Sequence, residues 1–398
     1  MAELPTFEEA QAGVLERVRP LAAERVELGS AAGRVTARAA QAAVDLPPFA
    51  SSAMDGFALR AADAPGTLPV VAQIAAGSPS ARALRAGEAM EISTGGVVPD
   101  GADAIAPLET VVRTENSIEI VAAIAPGTYV RPKGGDARAG DVVVDAGVLL
   151  GAAQIGALGA AGVGVVEVSR RPRVAVLATG SELARPGDPL RRGQIYEANG
   201  PMLAAALGAA GADVILLPVV ADNEAAHREA LERGLEADVL VTSGGVSVGP
   251  HDLVRRIEAD LGVEEVFWQV AIKPGKPVSF GVRGATLVFG LPGNPVSSLV
   301  ACELFVKPAI RALQGVREPL PPFERGTLAS PLRRSGGRDE LVRALAHRLP
   351  NGIVLEPLSG QESHMIVRAA AADALVLVPR GEGELEPGSA VSWLRLHD

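Results

Sequence analysis

Short apolar runs alternate with helical stretches between residues 173 and 309, and each run stops abruptly at small or polar residues. The run 239–242 is short, β-branched and apolar, the pattern of a strand buried in a parallel sheet, and residues 173–178, 213–220 and 287–289 read as further strands. Residues 199–210 and 223–236 carry apolar side chains at three- and four-residue spacing, which predicts helices, and a further helix is expected from Pro295 to about Ala309. Strand and helix in alternation predict a doubly wound α/β domain over residues 171–317. Residues 46–138 hold short β-like runs (70–74, 105–108, 111–113 and 118–124) and read as an inserted β-rich domain. Residues 1–45, with an amphipathic helix over 7–24, join 139–170 in an elongated α+β segment. After Pro319-Leu320-Pro321-Pro322, the runs 353–356, 374–378 and 391–396 between Gly/Pro turns predict a small C-terminal β-barrel or sandwich over 318–398.

Composition narrows the function. The chain has 398 residues, enough for several cores. It is 48% hydrophobic but only 3% aromatic, so those cores are built from Ala, Val, Leu and Ile. Scarce aromatics and a net charge of −10 argue against single-stranded and duplex nucleic acid alike. The single cysteine, Cys302, sits in an apolar helical run and reads as a packed core thiol. Five scattered histidines without ligand spacing make zinc improbable. The first ten residues have no basic segment before an apolar one, so no signal peptide is evident. Residues 146–166 are nearly uncharged but rich in Gly and Ala, and switch from helix-like to strand-like midway. We expect a cytoplasmic protein with no membrane partner.

The strand ends carry the candidate chemistry. In open parallel sheets ligands bind beyond the carboxyl ends of the strands. There the sequence places Thr179-Gly180-Ser181-Glu182, Ala221-Asp222-Asn223, Ser243-Gly244-Gly245 with Ser247 and Asp252, and Gly290-Leu291-Pro292-Gly293-Asn294-Pro295 followed by Ser297. Glycines let backbone N–H groups converge on an anion. Asn294 suits a helix N-cap and Pro295 the first helical position, so that loop is expected to present a helix N-terminus. Lys273-Pro274-Gly275-Lys276-Pro277 offers two ammonium groups on a stiffened backbone, which an anionic ligand requires in an acidic protein. Acids beside such a cradle imply a cation: Glu182, Asp222 and Asp252 are candidates for direct or water-mediated contact with Mg²⁺, which takes a few carboxylates plus ligand oxygens and water.

Together these segments resemble the molybdopterin molybdenumtransferases, the last enzymes of molybdenum-cofactor assembly, related to the E domain of gephyrin. The matching motifs run in family order: Ser52-Ala53-Met54-Asp55-Gly56-Phe57, Ser93-Thr94-Gly95-Gly96, Thr179-Gly180-Ser181-Glu182, Gly193-Gln194-Ile195-Tyr196, the 243–252 loop, Lys273–Pro277 and Gly290–Pro295. The resemblance implies the four-part layout above with a C-terminal small β-barrel. The activity implied is Mg-dependent insertion of molybdate into adenylylated molybdopterin with release of AMP. Its catalytic residues would be Asp55, Thr94, Asp136, Glu182, Asp222, Asp252, Lys273 and Lys276. Those implied to bind the molybdopterin and molybdate are Thr179, Ser243, Gly244, Gly245, Ser247, Pro292, Gly293, Asn294, Pro295 and Ser297. A homodimer is implied as well, formed through the elongated segment, with each cleft shared between subunits. Arg338, Arg343 and Ser363 could offer a second anion patch, but are expected first of all to be solvated surface residues. The chain departs from the family pattern at Ser51 for Asn, Ser181 for Asp, Gly96 for Ala and Gly135 for Glu; none removes a group with an assigned role. Two other readings are open to it: a molybdopterin adenylyltransferase, which shares only the α/β domain, and a gephyrin-like scaffold, which needs extra interaction segments.

Overall fold

The computed structural model describes residues 4–221, 223–245 and 253–396. It comprises two compact units, Met1–Glu24 with Ser169–Asp398, and Arg25–Val168. The expected sites at Asp222, Ser247 and Asp252 lie outside the described residues.

The larger unit is built on a six-stranded sheet. Its strands are β1 (Arg173–Ala178), β2 (Asp213–Leu216), β3 (Val239–Ser243), β4 (Glu264–Trp268), β5 (Ser279–Arg283) and β6 (Thr286–Leu291), in the spatial order β2-β1-β3-β6-β5-β4. The first four in that order are parallel, as the alternation of strand and helix predicts; β2 ends at Leu216, short of the expected residue 220, and is largely exposed at the sheet edge. β5 and β4 add an antiparallel edge that the apolar pattern did not predict. Alternate residues serve opposite faces. Val174, Val176, Val239, Val241 and Phe289 pack with Leu203 and Leu207 of α1 (Asn199–Ala209). Ala175, Leu177, Leu240 and Val288 pack with Leu231 of α2 (Glu224–Gly234) and Ile257 of α3 (Leu253–Asp260). Helices therefore cover both faces.

The helix after β6 runs as α4 (Pro295–Ala301), one π turn (Cys302–Val306) and α5 (Lys307–Leu313). Cys302 is fully buried there, and burial pushes its thiol pKa up, as a core thiol requires. The N-terminal helix spans Phe7–Leu15, shorter than expected, and closes with a Thr6/Glu9 capping box. Phe7, Ala10 and Val14 join the core around Phe305 and Ile310.

The C-terminal residues form a closed five-stranded barrel from β7 (Glu324–Leu328), β8 (Asp339–Leu349), β9 (Gly352–Pro357), β10 (Ala374–Val378) and β11 (Ala390–Arg395). Its interior is filled by Trp393, Leu355, Val376 and Val342, while Leu341, Leu375 and Leu394 join the core of the α/β sheet. A two-residue strand, Ile272–Lys273, adds in parallel to β8, so the barrel edge holds the lysine segment.

Arg170 leads into β1 and grips the turn before β3: its guanidinium donates to both Asp238 carboxylate oxygens at 2.6 and 2.7 Å, and Arg173 N–H adds 2.8 Å. Partial burial raises the Asp238 pKa, but the Arg170 and Arg173 contacts outweigh it, leaving the carboxyl below its ordinary value. A depressed carboxylate stabilises above its unfolded pKa and loses that contribution as pH falls through the folded value. Asp238→Asn is expected to cost about 1–2 kcal/mol at neutral pH, screening by solvent included. Chemical denaturation should show the gap narrowing below about pH 4; a gap that is the same at pH 3 and pH 7 contradicts it.

The smaller unit centres on a sheet in the order Ala104–Pro107, Gly56–Leu59, Ala89–Ile92, Gly66–Ile74, Ser117–Ile120, Val111–Arg113. Phe57 and Leu59 bury on one face with Leu68 and Ile118, Ala58 on the other with Ile74 and Met90. The same unit contains the helix Ala152–Ala160. Among the described residues no helix is long and apolar enough to cross a membrane.

Candidate functional site

Because β1, β3 and β6 are parallel, their following loops emerge on one side, and there they line a cleft of about 1030 Å³. Thr179, Gly180 and Glu182 come from the first loop, Ser243, Gly244 and Gly245 from the second, and Pro292, Gly293, Asn294 and Pro295 from the third. Glycine is required where the loops meet. Gly244 has φ +93°, and a Cβ there would stand 2.8 Å from the Thr179 carbonyl oxygen.

Among the described residues, fewer loop amides are free for an anion than the sequence suggested. Thr179 N–H donates to Ser243 O, Gly180 N–H to Val220 O and Gly244 N–H to Leu291 O, each at 3.1 Å. Those amides complete the strand ends instead of facing a ligand. The Gly245 amide has no partner among the described residues and is the one that the described part of this loop can offer. The Ser243 hydroxyl is also engaged, accepting from Asn199 Nδ2 at 2.8 Å.

Asn294 occupies the N-cap position of α4, but its side chain does not cap the helix. Its Nδ2 donates instead to Ser363 Oγ at 3.0 Å, and Val296 N–H is satisfied by Ser363 O at 3.0 Å. A barrel loop thus does the capping. Arg343 holds that loop from behind: it is 2% exposed and donates to Gly360 O, Glu362 O, Met365 O and Gln361 Oε1. Arg343 and Ser363 are therefore structural here and do not form a second anion patch. Their loop instead brings His364 to the cleft wall, close to Ile366 at the start of the following helical turn.

Ser297 is 4% exposed on α4 and does not line the cleft. Lys273 and Lys276 also stand outside its lining, although Pro277 belongs to it. Lys273 Nζ pairs with Glu340 Oε1 at 3.2 Å across the parallel pairing to β8. Lys276 has no ion pair among the described residues, and its carbonyl accepts from Val270 and Val278 N–H.

The smaller unit assembles a second constellation. Ser52 N–H donates to Gly96 O at 3.0 Å and Gly95 N–H to Ser52 O at 2.8 Å, which lays the 93–96 turn against the chain leading to Asp55. Asp55 Oδ1 then accepts from Thr94 N–H at 2.6 Å and from Thr94 Oγ1 at 2.8 Å. Those two bonds, the amide first, hold the exposed Asp55 carboxyl below the usual aspartate range. The carboxylate is therefore charged at neutral pH, and the clamp is lost only as pH falls through that lowered value. Gly56 must be glycine, since a Cβ would lie 2.2 Å from Ala106 O. Asp136 is exposed on a turn whose backbone bonds to Leu46.

Four polar cleft residues escaped the sequence reading: Glu197, Asn199, His227 and His364. Glu197 Oε1 caps Gly200 N–H at 2.7 Å, and Asn199 bridges two loops. A signal existed in Glu197-Ala198-Asn199-Gly200 ahead of an Ala/Leu-rich helix, where polar residues mark a helix start. His364 had none, because only the folded barrel brings it there.

Three family models match successive stretches: "MoeA N-terminal region (domain I and II)" over residues 5–162, "Probable molybdopterin binding domain" over 175–312, and "MoeA C-terminal region (domain IV)" over 325–396. Molybdopterin molybdenumtransferase 2 of Mycobacterium tuberculosis is 37% identical over 400 residues, covering 96% of this chain and 98% of the relative. Molybdopterin molybdenumtransferase of Nostoc is 36% identical, covering 94% and 88%. A crystal structure of the molybdopterin biosynthesis MoeA protein of Pyrococcus horikoshii superimposes with TM-score 0.84 at 31% identity, covering both chains fully.

Proposed function

The chain belongs to the molybdopterin molybdenumtransferase family, and from that premise we propose how its residues carry out molybdenum insertion. The protein is a transferase of molybdenum-cofactor biosynthesis, taking molybdopterin and molybdate as substrates. The observation that carries the reading is the convergence of three glycine loops on one cleft at the carboxyl ends of parallel strands.

In the proposed arrangement adenylylated molybdopterin lies along that cleft, its phosphates near the Gly245 amide. Hydrolysis of the phosphoanhydride, in which water adds to one phosphorus and the bridging oxygen leaves with the other, releases AMP. Negative charge builds on that oxygen, which fixed positive groups stabilise. Lys276 supplies one such charge, and Lys273 another once it exchanges Glu340 for the ligand. Molybdate, a tetrahedral oxyanion, would be held by the same lysines with the Ser247 hydroxyl; Ser297, buried away from the cleft, has no part in it. Glu182 is an exposed carboxylate on the cleft wall; Glu182, Asp222 and Asp252 would be the carboxylates to hold Mg²⁺, which takes a few such oxygens with ligand oxygens and water. When bound, Mg²⁺ neutralises phosphate charge. Asp55, fixed as a carboxylate by Thr94, and Asp136 complete the cleft from the partner subunit of a cytoplasmic homodimer. The match over all three family regions favours this reading over an adenylyltransferase or a scaffold.

The purified protein with adenylylated molybdopterin is expected to release AMP only when molybdate is added. Chelation should stop release and Mg²⁺ restore it. Molybdate-independent AMP release, or consumption of ATP with molybdopterin, would overturn the assignment. Undiminished turnover in excess chelator would remove the magnesium from it.

A further inference from the structure

Asn199 opens α1 and is 9% exposed, yet the helix does not need its side chain. The residue at the N-cap is Ala198, and the first-turn amide of Gly200 is held by Glu197. The Asn199 amide group points instead at two different loops. Its Nδ2 donates to Ser243 Oγ at 2.8 Å and to Gly293 O at 2.8 Å. Both acceptors sit at the cleft, one after β3 and one after β6. Ser243 Oγ lies 3.5 Å from Pro292 O, which closes the link between the loops. These loops nearly touch: a Cβ on Gly293 would stand 3.8 Å from Gly244 Cα. With no side chain on either glycine to set their separation, one buried amide does so.

We propose that Asn199 is a positioning residue for molybdenum insertion, a strut that fixes the spacing of the 243–245 and 292–294 loops and thereby the affinity for the phosphate-bearing substrate. The proposal rests on the reading that the cleft holds adenylylated molybdopterin. Asn199 touches no reacting atom, so its loss acts on substrate binding more than on turnover. An amide that donates to both loops cannot be replaced by a carboxylate, which would accept from the Ser243 hydroxyl but repel the Gly293 carbonyl.

Asn199→Ala is expected to raise KM for adenylylated molybdopterin about tenfold or more, with kcat and the molybdate KM changed less than about threefold. Asn199→Asp should fall between Ala and wild type. Ser243→Ala should raise KM alone but add little to Asn199→Ala, because both remove the same link. Amide hydrogen exchange at Gly244 and Gly293 should quicken in Asn199→Ala, while strands β1 and β3 keep wild-type protection. Unchanged KM, full additivity of the two variants, or unchanged exchange at those glycines would each overturn the strut. If the wild type releases no AMP, the cleft reading fails instead, and the exchange measurement still decides what Asn199 does.

Discussion

Gly244→Ala is expected to lower molybdate-dependent AMP release at least about a hundredfold and stability by about 1–3 kcal/mol. Two costs coincide at this position. The backbone holds φ at +93°, where side chains other than glycine are strained. The new methyl would also meet the Thr179 carbonyl oxygen at 2.8 Å and its hydroxyl at 3.1 Å. Neither neighbour yields readily. Thr179 is tied through its own N–H to Ser243 O, and it bridges to Val220. The 243–245 loop must therefore move, and with it the Gly245 amide and the Ser243 hydroxyl that Asn199 holds. Gly293→Ala is the control for stability: its φ is unremarkable for any residue and its nearest neighbour is 3.8 Å away, so denaturation should find it within about 0.5 kcal/mol of wild type. Wild-type turnover in Gly244→Ala would mean that the loop's backbone does not bind the substrate.

That cleft shows what a sequence reveals and what it hides. β1, β3 and β6 were legible because buried β-strands are apolar along their length and end close to glycine, whereas β2 is as apolar but lies largely exposed at the sheet edge. β4 and β5 were not, since Glu264-Glu265-Val266-Phe267-Trp268 mixes charge with aromatics at an antiparallel edge. The positions of the glycine loops were legible, but the direction of their amides was not. Hydrogen bonds from Gly180 to Val220 and from Gly244 to Leu291 depend on neighbouring strands, which local sequence does not specify. Asn294 illustrates the same limit: it stands where a cap belongs, yet Ser363, 69 residues away, takes its side chain. Lys273 likewise meets Glu340 only because Ile272–Lys273 adds to the barrel. Asp55 and Thr94 lie 39 positions apart, and family motifs, not spacing, singled them out before the geometry joined them.

If Asp55 serves the cleft of a partner subunit, two individually inactive variants should rescue each other. Asp55→Ala removes the carboxylate clamped by Thr94, and Gly244→Ala disables the cradle. A dimer with one subunit of each kind then has one cleft carrying both defects and one carrying neither. Random exchange makes about half the dimers mixed, so activity should return to about a quarter of wild type if clefts act independently. Exchange between differently tagged subunits is confirmed first by co-purification, and each variant alone must remain inactive. The pH dependence adds a check, because the lowered Asp55 pKa keeps its carboxylate charged across the neutral range. Recovered activity should therefore show no acid limb from Asp55 above about pH 4. Confirmed exchange without rescue would place Asp55 at its own subunit's cleft, or in a purely structural role holding the 93–96 turn.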